Sequence, residues 1–370
     1  MHYRELGAAG VDVSEIGFGA WTVGTDWWGD RTDEEAKEML RYAFDQGITY
    51  FDTGDVYGHG HSEELVGEAL ADVRDEVSVA TKVGYDFYDN PQAGHGELPK
   101  EMHPEYLDDA LEQSLDRLGF DSVDVLQLHN ANVDEIDADV LEWLDEVRES
   151  GRADAVGIAL GPSIGWLAEG EKAIREEFDS VQLVWNALEP EIGDRFLEVV
   201  EETGSETSLV PRVPHSSGLL NEQITPENPP GEGDHRAYRP DEWFETGFEK
   251  VEALRFLERD GVPASEASGR QGATDRSDRG RTMAQASLQY LLYHDAVATV
   301  TPTFRTRSDI DAWATASDAP ALSDAEYDRV RELQANGFEL DRDDGMDSLR
   351  SSVGGTDIER AGLDKHVAGD

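Results

Sequence analysis

Four side chains suited to acid–base chemistry follow apolar, strand-like runs of the chain. Asp52 and Tyr57 are five residues apart, directly after the first of these runs. Lys82 ends a second run, and His129 ends a third. A carboxylate, a phenol, an amine and an imidazole in one site can transfer a proton to a substrate and stabilise the charge that remains. Because an α/β barrel builds its active site at the carboxyl ends of its strands, we expect the four side chains to lie together there.

The elements that must position these side chains alternate between strand and helix patterns. Strand-like runs are predicted near residues 15–19, 48–52, 77–82, 123–128, 155–159, 181–185, 208–213 and 297–301. Amphipathic helices lie between them; Ser62 is predicted to cap one helix, and Gly47 and Gly119 are predicted to end two others. This alternation predicts βα units and a parallel sheet, closed as a (β/α)8 TIM barrel.

The chain of 370 residues is predicted to hold a single barrel domain over residues 1–340. Residues 3–6 and 11–13 are predicted to form a β-hairpin that precedes the barrel. Polar, glycine-containing residues at about 262–281 predict a flexible surface insertion. Residues 341–370 form an acidic tail, which we expect to be a disordered, solvated end; a flap over the pocket is the alternative.

Five short strings follow one another along the chain in a definite order. They are Tyr3-Arg4-Glu5-Leu6-Gly7, Ser14-Glu15-Ile16-Gly17-Phe18-Gly19-Ala20-Trp21, Ser114-Leu115-Asp116-Arg117-Leu118-Gly119, Arg212-Val213-Pro214 and Ser217-Gly218-Leu219-Leu220. Together with the four side chains above, they resemble the aldo-keto reductase family, in the branch that carries Arg-Val-Pro after the seventh strand. The resemblance covers residues 1 to about 335, with a gap between 262 and 281. It implies that the hairpin closes the bottom of the barrel, and that the protein is an NAD(P)H-dependent oxidoreductase that reduces aldehydes and ketones to alcohols.

The resemblance implies a role for each of the four side chains. Tyr57 is the general acid that gives a proton to the developing alkoxide. Lys82 stabilises the ionised phenol, and Asp52 keeps the ammonium charged and aimed at it. His129 donates a hydrogen bond to the substrate oxygen and orients it. Taken singly, an Asp there is also typical of a turn, a Tyr of packing and a His of a core, whereas Lys82 is one of only six lysines.

The resemblance also implies the residues that hold a nicotinamide. In the family these are a serine and an asparagine after the fifth strand, a glutamine on the sixth and a planar side chain on the seventh. Gln182 matches the glutamine, and Arg212 matches the planar side chain because a guanidinium can stack on a ring. The fifth strand departs from the family, since Ala159 and Leu160 stand in place of the serine and the asparagine. A backbone group of Gly161-Pro162 could substitute for them.

Two arginines after the eighth strand are candidates for binding the adenosine phosphate. Arg305 and Arg307 are the cations of a loop that resembles the family's phosphate-binding loop. An arginine fork suits a 2′-phosphate, which favours NADP(H) over NAD(H). Asp309 and Asp311 are close enough in sequence to offset this charge. Two ordinary surface arginines are the alternative.

The charge balance is strongly acidic, with 81 acidic and 31 basic residues and a formal net charge of −50. Such a chain is a poor partner for nucleic acid and for anionic membranes, which bind basic side chains. The balance predicts a protein adapted to molar salt, where the Debye length shrinks to ~3 Å. We hypothesise a halophilic source, an archaeon.

Other sequence features narrow the possible sites and compartments. The chain has no cysteine, which excludes disulfides, thiolate metal sites and a cysteine nucleophile. No apolar run approaches the ~18 residues that span a bilayer, and we expect a cytoplasmic protein. His59, His61 and Asp55 lie in one turn, but their spacing does not predict a metal site.

Two other function classes are open alternatives. A non-catalytic regulatory protein that binds a nicotinamide cofactor could use the same fold. The intact set of four side chains argues against it, whereas Ala159 and Leu160 leave it open. A metal- or phosphate-dependent barrel hydrolase would need clustered ligands that the sequence does not offer. The expected partner is a small carbonyl or alcohol substrate, and its identity, the direction of the reaction and the oligomeric state stay open.

Overall fold

The computed structural model describes residues 1–25, 31–88, 98–161, 167–231, 236, 241–260 and 280–340. Within these ranges an antiparallel hairpin precedes seven parallel strands, which pair with one another in sequence order. The hairpin strands are β1 (Tyr3–Leu6) and β2 (Val11–Ser14), and the parallel strands are β3 (Phe18–Gly19), β4 (Tyr50–Asp52), β5 (Ser78–Val83), β6 (Val123–His129), β7 (Ala153–Ala159), β8 (Ser180–Val184) and β9 (Ser208–Arg212).

Residues 297–301 close the sheet between its two edge strands. On one side Leu209 of β9 pairs in parallel with Val297. On the other side the Val300 N–H donates to the Glu15 carbonyl oxygen at 2.9 Å. The predicted eighth strand is therefore present as single bridges rather than as a full ladder. The closed parallel sheet confirms the predicted (β/α)8 barrel.

Helices connect the strands as the sequence patterns predict. The α-helices are Trp21–Gly24, Asp33–Asp45, His61–Leu70, Pro104–Leu118, Ala138–Glu149, Leu167–Arg175, Glu191–Thr203, Asp241–Ala253, Met283–Leu292, Arg307–Trp313 and Asp324–Ala335. The 3₁₀ helices are Ala71–Glu76, Ser216–Gly218, Arg255–Leu257, Ala314–Asp318 and Gly337–Glu339. Gly47 and Gly119 lie just past two helix ends with φ of 90° and 67°, as predicted, because this left-handed conformation suits glycine.

The hairpin covers the bottom of the barrel. Its apolar side chains form one buried cluster with inward-facing residues of the strands: Leu6, Val11, Val13, Tyr50, Ala80, Val125, Ala155, Val210 and Ala298. Arg4 on β1 donates to the carbonyl oxygens of Leu292, His294 and Val297, at 2.8, 3.0 and 2.7 Å. Arg4 therefore ties the hairpin to the segment that closes the barrel.

One local prediction is wrong, and two others fall outside the described residues. Ser62 does not cap its helix, which begins at His61 with Gly60 as the N-cap residue. The Ser62 hydroxyl instead accepts from Thr53 Oγ1 at 2.8 Å and donates to the Ala20 carbonyl oxygen at 3.1 Å, so a buried tertiary contact has taken it. The predicted tail at 341–370 and most of the predicted insertion at 262–281 lie outside the described ranges.

Candidate active site

The structure brings the four predicted side chains together at the carboxyl ends of β4, β5 and β6. Asp52 and His129 are the last residues of their strands, and Lys82 is the last but one of β5. Tyr57 stands on the turn after β4, where its N–H donates to the Gly54 carbonyl oxygen at 3.0 Å. The turn needs glycine at Gly58, since φ is 61° and a Cβ there would lie 1.9 Å from a backbone oxygen.

Lys82 is completely buried and bonded in the centre of this site. Its Nζ donates to Asp52 Oδ2 at 2.7 Å and to the Thr53 carbonyl oxygen. The same Nζ lies 4.7 Å from the centroid of the Tyr57 ring. Burial acts to lower the pKa of Lys82, but the interactions with Asp52 and Tyr57 outweigh it and leave that pKa raised. The ammonium is therefore charged at neutral pH.

Two glutamine side chains fix the carboxylate of Asp52. Gln127 Nε2 and Gln182 Nε2 each donate to Asp52 Oδ1 at 3.0 Å. Gln127 was not among the residues singled out from the sequence. Its signal is the two-residue spacing from His129, which places both side chains on one face of the strand. The structure places Gln182 at the site, and its proposed contact with a nicotinamide stays a prediction.

His129 is neutral in this setting. Burial lowers its pKa well below the usual value, and the positive charges of Lys82 and Arg212 lower it further. Its Nδ1 is buried and, among the described residues, has no hydrogen-bond partner. Because no acceptor meets Nδ1, the tautomer with the proton on Nε2 is favoured. The imidazole is therefore suited to donate one hydrogen bond and unsuited to carry a charge.

Arg212 contacts the segment after β7, where the sequence departs from the family. Its Nη2 donates to the carbonyl oxygens of Leu160 and Gly161, at 2.7 and 2.6 Å. These carbonyls follow directly after Ala159, the last residue of β7. The guanidinium of Arg212, at the end of β9, therefore holds the segment that follows β7. Burial lowers the pKa of Arg212, opposed by its electrostatic interactions with Tyr57 and Asp52. The residue types of Arg212 and Gln182, a guanidinium and an amide, fit a planar ring with a carboxamide, and their contact with such a ring stays a prediction.

A family comparison decides what kind of protein carries this geometry. The model of the aldo/keto reductase family matches residues 15–335. The chain belongs to the aldo/keto reductase family. The resemblance drawn from its short strings is thereby confirmed, and with it the class of oxidoreductases.

Individual relatives of this aldo-keto reductase are similar over different shares of its length. The uncharacterized oxidoreductase YqkF of Bacillus subtilis is 27% identical over 305 residues, which are 81% of this chain and 86% of YqkF. Among solved structures, the holo form of the aldo-keto reductase AKR11C1 from Bacillus halodurans matches with a TM-score of 0.69 and 26% identity, over 90% of this chain and 96% of that one. A probable voltage-gated potassium channel subunit beta of Oryza sativa subsp. japonica is 35% identical over 133 residues, 35% of this chain and 37% of the subunit.

The two arginines predicted to bind a phosphate already have partners in this aldo-keto reductase. Arg307 donates to Glu38 at 2.8 Å, and 53% of its side chain is exposed. Arg305 Nη1 donates to Gln223 Oε1 at 3.3 Å. Arg31, which the sequence did not single out, donates to the Arg305 carbonyl oxygen at 2.6 Å and adds a third cation to this loop. A phosphate bound here would have to replace the weak surface contact with Glu38.

The described residues also bear on metal binding and on membrane-spanning helices. Within the described ranges, no three His, Asp or Glu side chains lie together as metal ligands. His61 instead contacts Asp33 at 3.0 Å and Glu64 at 3.3 Å. In the same ranges, none of the helices is both long and apolar enough to cross a bilayer.

Asp55 is a buried acid behind the site that the sequence did not single out for catalysis. Neither carboxyl oxygen has a hydrogen-bond partner among the described residues. Burial, followed by the negative charge of Glu63, raises its pKa well above the usual value. Glu63 is itself buried and bonded to Arg117 at 2.6 Å. The neutral acid is therefore the favoured form of Asp55.

Replacing Asp55 by Asn should stabilise the protein more at high pH than at low pH. A pKa raised on folding means that the folded state holds this proton more tightly, so stability falls as pH rises above the unfolded value near 4. We expect the Tm of Asp55→Asn to exceed that of wild type at pH 8 by at least about 2 °C, the shift that about 1 kcal/mol produces in a large domain. The difference should shrink toward pH 5. Thermal unfolding in molar KCl measures it, with the exposed Asp75→Asn as control; equal midpoints at both pH values would contradict the expectation.

Proposed function

We propose that this aldo-keto reductase uses NAD(P)H to reduce aldehydes and ketones to alcohols, in a reversible hydride transfer with Tyr57 as the general acid. The observation that carries the proposal is the buried Lys82 ammonium, which bonds Asp52 at 2.7 Å and lies beside the Tyr57 ring. A buried lysine charge is costly unless it is paired. Its presence beside a phenol at the carboxyl ends of the strands supports a catalytic role.

Tyr57 transfers the proton, and Lys82 assists the transfer. A bound nicotinamide would supply the hydride to the carbonyl carbon, and Gln182 and Arg212 would hold its ring. The Tyr57 hydroxyl gives its proton to the carbonyl oxygen, so that the C=O bond becomes an alcohol. The phenolate that remains is stabilised by the Lys82 ammonium, 4.7 Å from the ring centroid, and regains a proton from solvent.

His129 positions the substrate oxygen for this transfer. Its ring lies edge-on to that of Tyr57, with centroids 5.8 Å apart, and we infer that both donors can reach one substrate oxygen. A neutral imidazole donates from Nε2 without adding a positive charge next to Lys82. The substrate is therefore held by one donor while the other gives up its proton.

NADP(H) is the cofactor that we propose, with NAD(H) as the alternative. The support is the pair of arginines Arg305 and Arg307, together with Arg31, which donates to the Arg305 carbonyl oxygen. Arg305 lies on the loop after the closing segment 297–301, and Arg307 begins the next helix, so both are placed to meet the phosphate end of a dinucleotide. The net charge of −50 disfavours nucleic acid as a further partner.

Replacing Arg305 and Arg307 together by Ala should weaken NADPH far more than NADH. Loss of charge-assisted hydrogen bonds of ~1.5–3 kcal/mol predicts a difference between the two dinucleotides of at least about tenfold. Binding titrations in molar KCl measure both affinities. The double variant Arg41→Ala/Arg175→Ala is the control, since it makes the same change in net charge at other surface positions. Equal losses for NADPH and NADH would show that the loop arginines do not recognise a 2′-phosphate.

Initial rates test the proposed function directly. The purified chain in molar KCl is offered NADPH or NADH with a panel of small aldehydes and ketones, and oxidation of the cofactor is followed. Turnover of at least one carbonyl that depends on Tyr57 supports the proposal. Absence of turnover, combined with tight cofactor binding, would instead favour a regulatory protein. The partial match to a potassium channel subunit beta is the observation behind that second candidate.

A further inference from the structure

The imidazole of His129 lacks the anchor that usually fixes a functional histidine. Such a ring is normally oriented by a hydrogen bond from its second nitrogen to a carboxylate or a carbonyl. Here Nδ1 is buried and meets no hydrogen-bond partner among the described residues. Rotation of the ring about its last side-chain bond is therefore not opposed by a hydrogen bond at Nδ1. Ring packing is the remaining means of holding it.

Tyr85 makes the closest of the ring contacts to His129. The two ring centroids are 4.7 Å apart and the planes are inclined by 68°, an edge-to-face arrangement. The Tyr57 ring is farther, at 5.8 Å. Tyr85 follows Gly84, whose φ of 130° turns the chain at the end of β5, so the phenol stands over the active-site face of the barrel. The imidazole thus lies against two tyrosine rings, and only one of them belongs to the proposed proton donor.

Tyr85 is itself held in place by the residue that follows His129. The Asn130 side-chain amide donates to the Tyr85 hydroxyl. Asn130 adopts a φ of 58°, and its N–H donates to the Ala159 carbonyl oxygen at 2.8 Å. Its own carbonyl oxygen accepts from Lys100 Nζ at 2.9 Å. Asn130 therefore links the backbone next to the imidazole to the hydroxyl of the ring that packs on it.

A second contact fixes the backbone of Tyr85. The Tyr106 hydroxyl donates to the Tyr85 carbonyl oxygen at 2.7 Å. Tyr85 and Lys100 also form an antiparallel bridge, so the same lysine contacts both Tyr85 and Asn130. Main chain and hydroxyl of Tyr85 are both tied to fixed elements, as a residue that positions another side chain requires.

We propose that Tyr85, held by Asn130, is a positioning residue that fixes the orientation of the His129 imidazole toward the substrate oxygen. The inference rests on the proposed function only in its kinetic consequence. The ring contact itself can be tested on the protein without any substrate. Tyr85 acts through His129, so its effect on the reaction must disappear when His129 is removed.

A double-mutant cycle tests the kinetic consequence. Tyr85→Leu removes the ring and should lower kcat/KM for carbonyl reduction by roughly 10–100-fold, as losses of residues that orient a functional histidine do. In the His129→Ala background the same substitution should cost less than about threefold. Tyr85→Phe keeps the ring and loses the contact with Asn130, and should fall between wild type and Tyr85→Leu. Equal losses from Tyr85→Leu in both backgrounds would overturn the proposal, because Tyr85 would then act without His129.

Nitrogen NMR of the imidazole provides a readout that needs no turnover. The His129 signals are assigned by their absence from the spectrum of His129→Ala. In wild type we expect two well-separated nitrogen shifts of a single neutral tautomer, and in Tyr85→Leu shifts that move toward each other or broaden. Tyr88→Leu is the control, since Tyr88 packs on Phe87 in the same segment and binds Arg117 rather than His129. Unchanged His129 signals in Tyr85→Leu, or equal changes in Tyr88→Leu, overturn the proposal even if the wild type reduces no carbonyl.

Discussion

Tyr57→Phe should lower carbonyl reduction by roughly 10²–10⁴-fold, the usual contribution of a positioned acid, while NADPH binding persists within a few fold. The substitution removes one oxygen and its proton and leaves the ring in contact with Lys82 and His129. Initial rates in molar KCl give the loss of activity, and a binding titration gives the affinity for NADPH.

Tyr50→Phe is the matched control for this result. Tyr50 is a fully buried tyrosine of β4, and its hydroxyl has no hydrogen-bond partner among the described residues. Removing that oxygen should leave turnover unchanged and relieve the penalty of an unpaired buried hydroxyl. If Tyr57→Phe keeps wild-type turnover, Tyr57 is not the acid.

Lys82→Met tests the other half of the same pair and should reduce turnover by a similar factor. It also leaves Asp52 buried without its cation, and breaking a buried ion pair on one side costs about 3–5 kcal/mol. Thermal unfolding must therefore accompany the rate measurement. Asp52→Asn should reduce turnover less, because Lys82 keeps its bond to the Thr53 carbonyl oxygen.

Dialysis to ~0.01 M salt should unfold the protein, because the Debye length then reaches ~30 Å and negative charges repel across the whole surface. Few cations offset this repulsion, and single cations are shared among several carboxylates. Arg195, for example, forms ion pairs with Glu171, Glu198 and Glu202. Exposed pairs of this kind contribute only about 0–1 kcal/mol each.

Circular dichroism over a KCl series measures the salt effect. We expect the native spectrum in molar KCl and its loss at low ionic strength. A parallel series in sucrose at low salt separates charge screening from the general stabilisation of compact states by excluded solutes. A native spectrum with an undiminished Tm at ~0.01 M salt would contradict adaptation to high salt.

The sequence predicts this site best where chemistry coincides with a strand end. Asp52, Lys82 and His129 close three successive apolar runs, and parallel pairing brings such positions to one face of the barrel. The order of the strands and the hairpin were predictable for the same reason, since both follow from local periodicity and turn residues.

The remaining features depend on contacts between distant residues, which no local pattern reveals. Ser62 has the local signature of a helix cap, yet the Ala20 carbonyl oxygen takes its hydroxyl. The edge contact of Tyr85 with His129 joins residues that are 44 positions apart, and nothing in the sequence around Tyr85 predicts it. Arg307 matched a phosphate-binding loop, but its ion pair with Glu38 comes from another helix.

The hydrogen bonds by which Arg4 joins the hairpin to the closing segment affect how the chain folds as it leaves the ribosome. Arg4 is synthesised long before its carbonyl partners Leu292, His294 and Val297. Until those residues emerge, β3 and β9 are unpaired edges of an unfinished sheet, and such edges can pair with other chains. Closure over so long a stretch of chain is slow, since contacts distant in sequence must wait for the intervening segments. The nascent protein is thus most prone to aggregation just before its last strand is added.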